Sequence, residues 1–400
     1  MNSDDLDARA LALHEAHGGK LEVRPKVPLE TRDDLSLAYT PGVAAVCRAI
    51  ARDPALAYRY TIKANTVAIV TDGSAVLGLG DIGAAAALPV MEGKAALFKE
   101  FAGIDAFPLC YLSNDADFAE QVRNITPAFG GINLEDIAAP RCFEIEEALL
   151  DCGIPVMHDD QHGTAIVVLA ALLNACRVTG RRYEDLSIVI VGAGAAGYAC
   201  ARLLRCIGYD EQACHPVRDL VVCDTRGIIH HGRPGLYANK YKFILAGETN
   251  RRQRTGSLAD ALSGADAVIG VSGAGAITAE MVRSMNPDPI VFALANPVPE
   301  IWPDEARAAG AAVIATGRSD FPNQCNNVLA FPGVFRGALD ARATRITDGM
   351  KLAAAHALAA CVDEPAVEEI LPSILDKSVT RRVAEAVRET AVRSGVGREI

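Results

Sequence analysis

Aromatic residues are scarce in this sequence of 400 residues, where they make up 5% of the chain with a single tryptophan. The sequence relies instead on Ala, Val, Ile and Gly, which is typical of proteins that layer helices on sheets and argues against an all-β fold. Domains usually span about 100–200 residues, so the chain is too long for one ordinary core. We therefore expect two domains of the α/β class.

Positive charge is also in short supply, with 39 Lys and Arg against 50 Asp and Glu and a formal net charge of −11. Binding to nucleic acid needs a surplus of cations clustered on one face, so we expect no nucleic-acid partner. The first ten residues, MNSDDLDARA, are polar and acidic. No apolar run approaches the roughly 20 residues of a membrane span, so we expect neither export nor membrane insertion.

The eleven cysteines show no paired spacing of the kind found in disulfide frameworks or zinc sites. They are scattered through text rich in Ala and Val. This pattern predicts reduced thiols and a cytoplasmic protein.

Short apolar segments, each followed by Gly or Asn and then by helical text, recur through the second half of the chain. Strands this apolar, separated by helices, predict a parallel sheet covered on both faces, as in a doubly wound, Rossmann-type domain. The predicted strands are Ser187–Val191, Leu220–Cys223, Ala267–Val271, Ile290–Ala295 and Ala312–Ala315.

The first half alternates in the same way and predicts a smaller α/β domain. Its predicted strands are Thr66–Thr71, Ala106–Leu109, Gly131–Asn133 and Ile154–Met157, and its predicted helices include Pro89–Phe101 and Ala116–Asn124. A long apolar helix, Thr164–Val178, follows, so we divide the chain into domains 1–160 and 161–400. Valines four residues apart in Lys377–Arg393 predict a C-terminal helix that packs back on the body.

The segment SIVIVGAGAAG places Gly192, Gly194 and Gly197 in G-x-G-x-x-G spacing, with Ala195 and Ala196 between the last two. A buried strand precedes the glycines and a helix follows them, which is the context that the dinucleotide-binding fingerprint requires. The first glycine permits a tight turn, the second lets the backbone approach a pyrophosphate, and the third lets helix and strand pack closely. We therefore predict a nicotinamide dinucleotide site.

Asp224 ends the next predicted strand, LVVCD, where a carboxylate can accept hydrogen bonds from an adenosine ribose and would repel a 2′-phosphate. This favours NAD as the cofactor. Arg226 lies two residues further on and could bind the phosphate of NADP, so NADP stays open, as does a plain turn at Asp224.

Two pairs of carboxylates, Glu135–Asp136 and Asp159–Asp160, follow predicted strands. The carboxyl ends of parallel strands are where α/β proteins place ligands, and oxygen-only ligands suit Mg²⁺ or Mn²⁺. His158 and His162 flank the second pair, but no partner stands at zinc-like spacing, so we interpret both as structural or supporting residues.

Two residues could exchange protons near such a site. Lys94, in PVMEGKAALFKEF, lies among Gly and apolar residues that could desolvate its amine and lower its pKa, whereas Lys99 looks like a surface lysine; local sequence does not decide between them. Tyr39 precedes a Thr-Pro-Gly turn that would hold its phenol rigidly, although taken alone it reads as a packed tyrosine.

Seven segments together, in order over residues 15–340, resemble the short bacterial form of the malic enzyme family. They are LAYTPGVA, TDGSAVLGLGDIG, MEGKAALFKEFAGID, INLEDI, HDDQHGTA, VGAGAAG and NNVLAFPG. The resemblance implies oxidative decarboxylation of L-malate to pyruvate and CO₂ with NAD or NADP on Mg²⁺ or Mn²⁺. It accords with a cytoplasmic homodimer or a larger homo-oligomer.

Site residues carry over from the resemblance motif by motif. Tyr39 corresponds to the general acid, Lys94 to the general base and Asp159 to a polar neighbour that supports the lysine. The metal ligands correspond to Glu135, Asp136 and Asp160, and the substrate-binding asparagines to Asn296 and to either Asn326 or Asn327. Ser74, Ala75 and Val76 stand where longer relatives carry an arginine, so the cation that binds the distal carboxylate is not identified.

Two other functions fit parts of the sequence. A hydroxy-acid or amino-acid dehydrogenase would share the cofactor domain but release no CO₂. A nucleotide-sensing protein would keep the fold without turnover, although a retained acid, base and carboxylate set argues against it.

Overall fold

A computed structural model describes residues 3–76, 78–112, 117–210 and 213–398 of the chain. The strands are β1 (Thr66–Thr71), β2 (Asp105–Cys110), β3 (Gly131–Leu134), β4 (Val156–His158), β5 (Ser187–Val191), β6 (Asp219–Asp224), β7 (Gly227–Ile228), β8 (Ala267–Gly270), β9 (Ile290–Ala293) and β10 (Val313–Thr316).

Helices surround these strands. In chain order they are α1 (Ser3–His17), α2 (Arg32–Ala38), α3 (Val43–Arg52), α4 (Ala57–Tyr60), α5 (Ala84–Ala102), α6 (Phe118–Asn124), α7 (Arg141–Leu149), α8 (Asp159–Thr179), α9 (Ala195–Leu204), α10 (Lys240–Glu248), α11 (Leu258–Leu262), α12 (Ala279–Arg283), α13 (Pro303–Ala308), α14 (Phe331–Asp340), α15 (Asp348–Ala359) and α16 (Lys377–Arg393). Short 3-10 turns lie at Pro54–Leu56, Ile62–Asn65, Tyr183–Asp185, Leu236–Ala238 and Asn327–Leu329.

The described strands form two sheets. The first has four parallel strands in the order β2-β1-β3-β4, and β1 is buried along its whole length. The second has six strands in the order β10-β9-β8-β5-β6-β7, all parallel except the two-residue strand β7. Parallel sheets covered by helices are the α/β architecture that the sequence predicts, and the fold class is confirmed.

Strand β5 shows how the second sheet is covered on both faces. Ile188 and Ile190 belong to a large core that continues through the first sheet, whereas Val189 and Val191 belong to a smaller core on the opposite face. Successive side chains of a strand point to opposite faces, so an apolar run without alternation is what two helical layers require.

The predicted bounds of β1, β5 and α16 match the structure to the residue. Helix α5 begins five residues before the predicted Pro89, because the run of alanines at 84–87 favours helix. Helix α8 begins at Asp159 rather than at Thr164, since two carboxylates are stabilised in the first turn of a helix. Strand β7 was not predicted, and Ala116 of the predicted helix Ala116–Asn124 lies outside the described residues.

Helix α8 links the two sheets and begins next to residue 160, where the sequence divides the domains. Among the described residues it is the helix long and apolar enough to cross a membrane by length and composition, but 67% of its most apolar window is buried in the protein. This burial makes it a core helix.

One expectation about the cysteines is wrong. Cys206 and Cys214 form a disulfide with a Cα–Cα distance of 5.7 Å, whereas the other nine cysteines are free. The turn after α9 brings the two together, although a spacing of eight residues is not a recognisable signature in sequence.

Candidate active site

Three carboxylates meet where β3 and β4 end. Glu135 and Asp136 follow β3, and Asp160 lies in the first turn of α8, directly after the neighbouring β4. Glu135, Asp136 and Asp160 each offer one oxygen, and these oxygens lie within 4.8 Å of one another. The Asp136 backbone N–H also donates to Asp160 Oδ2 at 2.8 Å. An oxygen-only set of this kind fits Mg²⁺ or Mn²⁺.

Burial raises the pKa of Glu135 well above its usual range, and repulsion from Asp160, Asp159 and Asp136 adds to the rise, while Lys94 opposes it. Carboxylates crowded and buried in this way gain from a bound cation, which relieves both effects. The chemistry of the cluster therefore agrees with its use as a divalent-metal site.

Lys94, in the middle of α5, reaches this cluster. Its side chain is only 10% exposed, and Nζ lies 2.5 Å from Asp159 Oδ2 and 2.8 Å from Glu135 Oε1. Lys99, one turn further along, is 61% exposed and pairs with Asp105. The structure thus distinguishes the two lysines that local sequence could not.

The pKa of Lys94 shifts in the direction opposite to the one that the sequence predicts. Burial alone would lower the pKa of the amine, but the Asp159 and Glu135 carboxylates outweigh it and hold the pKa above the ordinary lysine value. The predicted lowering of the Lys94 pKa is wrong because apolar neighbours in sequence do not reveal acidic neighbours in space.

Asn327 contacts Asp159, the carboxylate paired with Lys94. The Asn327 Nδ2 donates to Asp159 Oδ2 at 3.1 Å, and its Oδ1 accepts from the Thr164 hydroxyl at 3.0 Å. Asn326 accepts the Val328 N–H with its own side chain. Of the two asparagines, Asn327 is therefore the one tied to the charged cluster.

A cavity of about 840 Å³ opens over these groups and reaches the Gly-rich loop. Its lining includes the predicted site residues Lys94, Glu135, Asp160, Ala195, Ala196, Asn296, Asn326 and Asn327. Lys94 is the cation among the described lining residues, so no other cation is found there for a distal carboxylate.

A second cavity, of about 950 Å³, extends from the other side of the Gly-rich loop, and Gly192, Gly194, Asp224 and Arg226 line it. Gly192 has a φ of 119°, and a Cβ there would collide with the Val271 carbonyl. A Cβ at Gly197 would collide with the Gly192 carbonyl. The first and third glycines therefore have the turn and packing roles expected of a dinucleotide-binding loop.

The Asp224 carboxylate at the end of β6 is already paired. Arg233 Nη1 lies 2.8 Å from its Oδ1, Arg233 Nη2 lies 2.5 Å from its Oδ2, and Lys242 Nζ lies 2.7 Å from Oδ2. Burial would raise the pKa of Asp224, but hydrogen bonds from Arg233 and Lys242 lower it to about 2. Sequence reasoning missed both cations, which lie 9 and 18 residues downstream without a local pattern.

Tyr39 is the predicted site residue that lies apart. It follows α2, is 72% exposed, and is not among the residues that line either cavity. His158 borders the carboxylate cluster, since its Nε2 lies 3.6 Å from Asp160 Oδ2. His162 Nε2 lies 2.9 Å from Glu146 Oε2, a buried carboxylate that sequence reasoning also missed.

Comparison with known proteins gives matches along most of the chain. Residues 161–392 match the family described as "Malic enzyme, NAD binding domain", and residues 18–115 match "Malic enzyme, N-terminal domain". The chain is 54% identical over 397 residues to the bifunctional malic/malolactic enzyme of Bacillus subtilis (strain 168), an alignment that covers 98% of this chain and 95% of that protein.

Two further relatives differ in the cofactor for which they are named. The NADP-dependent malic enzyme of Halomonas elongata is 49% identical, with 98% of this chain and 96% of that protein covered. The crystal structure of the NAD-dependent malic enzyme from Thermotoga maritima superposes with a TM-score of 0.90 at 48% identity, covering 95% of this chain and 98% of that one.

Proposed function

Because the chain belongs to the malic enzyme family, we propose that it oxidises L-malate with NAD or NADP and decarboxylates the product to pyruvate and CO₂. The observation that carries the proposal is the buried Lys94 amine within 2.8 Å of two carboxylates, beside a three-carboxylate cluster. In this proposal residues 1–160 form the substrate and metal domain, and residues 161–400 form the cofactor domain. The proposal is tested by measuring cofactor reduction with malate in the presence and absence of Mn²⁺, and we expect reduction only when Mn²⁺ is present.

Glu135, Asp136 and Asp160 would hold the divalent ion, Mg²⁺ or Mn²⁺. When bound, the ion supplies a Lewis acid that polarises substrate oxygens and a positive charge that favours loss of the lysine proton. The three side chains are fixed by the ends of β3 and β4 and by the first turn of α8. The protein therefore offers the ligands with little rearrangement.

Lys94 acts as the general base that takes the proton of the malate C2 hydroxyl while hydride passes from C2 to the nicotinamide. Asp159 holds the amine in place, and Asn327 in turn holds Asp159. Asn296 and Asn327, which line the same cavity, bind the substrate through their amides. The resulting β-keto acid, oxaloacetate, loses C4 as CO₂, and the enolate left behind needs a proton at C3.

In our proposal Tyr39 supplies that proton. Because Tyr39 does not line the cavity, contact with another protein chain has to place its phenol there. Residues 5–62 contain no buried residue, and α1 to α3 expose apolar side chains such as Leu11, Leu37 and Val46. We propose that the active form is a homodimer or a larger homo-oligomer, in which a second copy covers these helices. We place the protein in the cytoplasm because nine of its eleven cysteines are free, although Cys206 and Cys214 form a disulfide.

Replacing Tyr39 with phenylalanine should slow protonation of C3 more than hydride transfer, because only the phenolic proton is lost. The measurement is deuterium exchange from solvent into C3 of pyruvate, followed by NMR and compared with the rate of cofactor reduction. Tyr60→Phe, at a tyrosine that is 47% exposed, is the matched control and should exchange normally. Wild-type exchange in Tyr39→Phe would remove the phenol from the proposed mechanism.

We propose NAD as the preferred cofactor with NADP accepted, because Asp224 is ionised but is offset by Arg233 and Lys242. Lys242 is 30% exposed and lines the cofactor cavity beside Asp224, where it could also pair with a 2′-phosphate.

Lys242→Ala should therefore raise the ratio of kcat/KM for NAD to that for NADP by about tenfold, which corresponds to about 1.4 kcal/mol, within the range of a charge-assisted hydrogen bond. Lys240→Ala is the control, since Lys240 is 64% exposed and pairs with Glu147 instead. Measured ratios that stay within twofold of the wild type in both variants would show that Lys242 does not read the phosphate.

A further inference from the structure

Glu146 is a buried carboxylate on α7 that the proposed mechanism does not use. It is 8% exposed, and its two oxygens accept hydrogen bonds from residues around the start of α8. Oε1 accepts the His158 backbone N–H at 2.8 Å, whereas Oε2 accepts from Gln161 Nε2 at 3.2 Å and lies 2.9 Å from His162 Nε2. One side chain thus contacts residues on both sides of Asp159 and Asp160.

The charge of Glu146 is secured by its surroundings. Burial would raise its pKa, but His162 and Lys351 outweigh burial and lower the pKa to about 2. Lys351 Nζ lies 3.3 Å from His162 Nε2 and pairs with Asp348 at 3.0 Å. Glu146 is therefore an ionised acceptor for all of its hydrogen bonds.

The position of Glu146 matters because of how α8 begins. His158 is the N-cap residue of α8, and its own side chain makes no capping hydrogen bond. In a capping box, a carboxylate within the helix accepts the backbone N–H of the N-cap residue. Here the carboxylate comes from a neighbouring helix, so α7 fixes the turn from which Asp159 and Asp160 project.

We propose that Glu146 is a positioning residue for the metal site: it holds the start of α8 so that Asp160 meets Glu135 and Asp136, and Asp159 meets Lys94. The proposal rests on the proposed function in that it takes the three-carboxylate cluster to bind a divalent ion. Partners that orient metal ligands typically contribute about 10–100-fold in metal affinity or activity.

The test measures Mn²⁺ binding by electron paramagnetic resonance in the full chain, without malate or cofactor. Glu146→Ala should weaken Mn²⁺ binding by about 10–100-fold. Glu146→Gln, which keeps an oxygen to accept the His158 N–H but loses one acceptor, should fall between the alanine variant and the wild type. Glu147→Ala is the matched control, because the adjacent Glu147 is 53% exposed, pairs with Lys240 and should leave binding unchanged.

Chemical rescue separates positioning from general loss of structure. Glu146 lines a cavity of about 330 Å³, large enough for a small carboxylate once the side chain is removed. Acetate should restore part of the Mn²⁺ affinity of Glu146→Ala and should do nothing for the wild type. The KM for NAD should stay unchanged in both Glu146 variants, since Glu146 is not among the described residues that line the cofactor cavity.

Two negative results have different meanings. If the wild-type protein does not bind Mn²⁺, the proposed function fails and this inference fails with it. If the wild type binds Mn²⁺ but Glu146→Gln and Glu146→Ala bind it within threefold as well, the inference alone is overturned. Equal weakening in Glu147→Ala would overturn it too.

Discussion

Replacing Lys94 with arginine is expected to lower kcat for malate oxidation by about 10²–10⁴-fold, the usual contribution of a positioned general base. Arginine keeps the positive charge between Glu135 and Asp159 but cannot give up its proton in a protein. The variant therefore removes the base while retaining the ion pairs. Steady-state kinetics with malate and NAD, together with the melting temperature, measure both effects.

Lys99→Arg is the matched control, on the same helix but 61% exposed, and it should retain wild-type kcat. Lys94→Ala should also be inactive, and it should melt at a lower temperature because it leaves two buried carboxylates without their cation. Small amines should restore part of its activity. An active Lys94→Arg enzyme would mean that another group takes the hydroxyl proton.

Removing the divalent ion with excess EDTA should abolish malate-dependent cofactor reduction. Asp136→Asn should lower activity by more than about 10²-fold, because replacing even a residue that only hydrogen-bonds to a metal ligand costs about 10–100-fold. Asparagine has the same shape as aspartate and tolerates the φ of 52° at this position. One of three crowded carboxylates is neutralised, so the metal-free variant should melt no lower than the metal-free wild type.

Asp304→Asn, at a position that is 91% exposed, is the control and should behave as the wild type does. Full activity that persists in excess EDTA would contradict the role of the carboxylate cluster, as would an Asp136→Asn variant that binds Mn²⁺ and turns over normally.

Much of the fold and part of the site follow from local patterns in the sequence. Strands β1 and β5 are continuous apolar runs bounded by polar or glycine residues, so their bounds are visible in the letters. The spacing of the Gly-rich loop is equally local, because Gly197 is needed where the helix passes the Gly192 carbonyl, although Gly192 itself faces the distant Val271 carbonyl. The carboxylate pairs lie at strand ends, and parallel strands bring such ends together.

The rest depends on contacts between distant parts of the chain. The pKa of Lys94 is set by Glu135 and Asp159, 41 and 65 residues away in sequence, so apolar neighbours gave the wrong direction. From the sequence, Asp224 is an unpaired carboxylate that could accept hydrogen bonds from a ribose. In the structure, the same carboxylate pairs with Arg233 and Lys242. No local signal marks Glu146, because its partners His158, Gln161 and His162 lie 12 to 16 residues further along the chain.

Malate labelled with ¹³C at C4, supplied with NAD or NADP and Mn²⁺, allows the amount of CO₂ released to be compared with the amount of cofactor reduced. Because the proposed site both oxidises and decarboxylates, we expect one CO₂ for each reduced cofactor, with pyruvate as the product. Reduction of the cofactor with accumulation of oxaloacetate and no matching CO₂ would contradict it, and would instead indicate a dehydrogenase that does not decarboxylate.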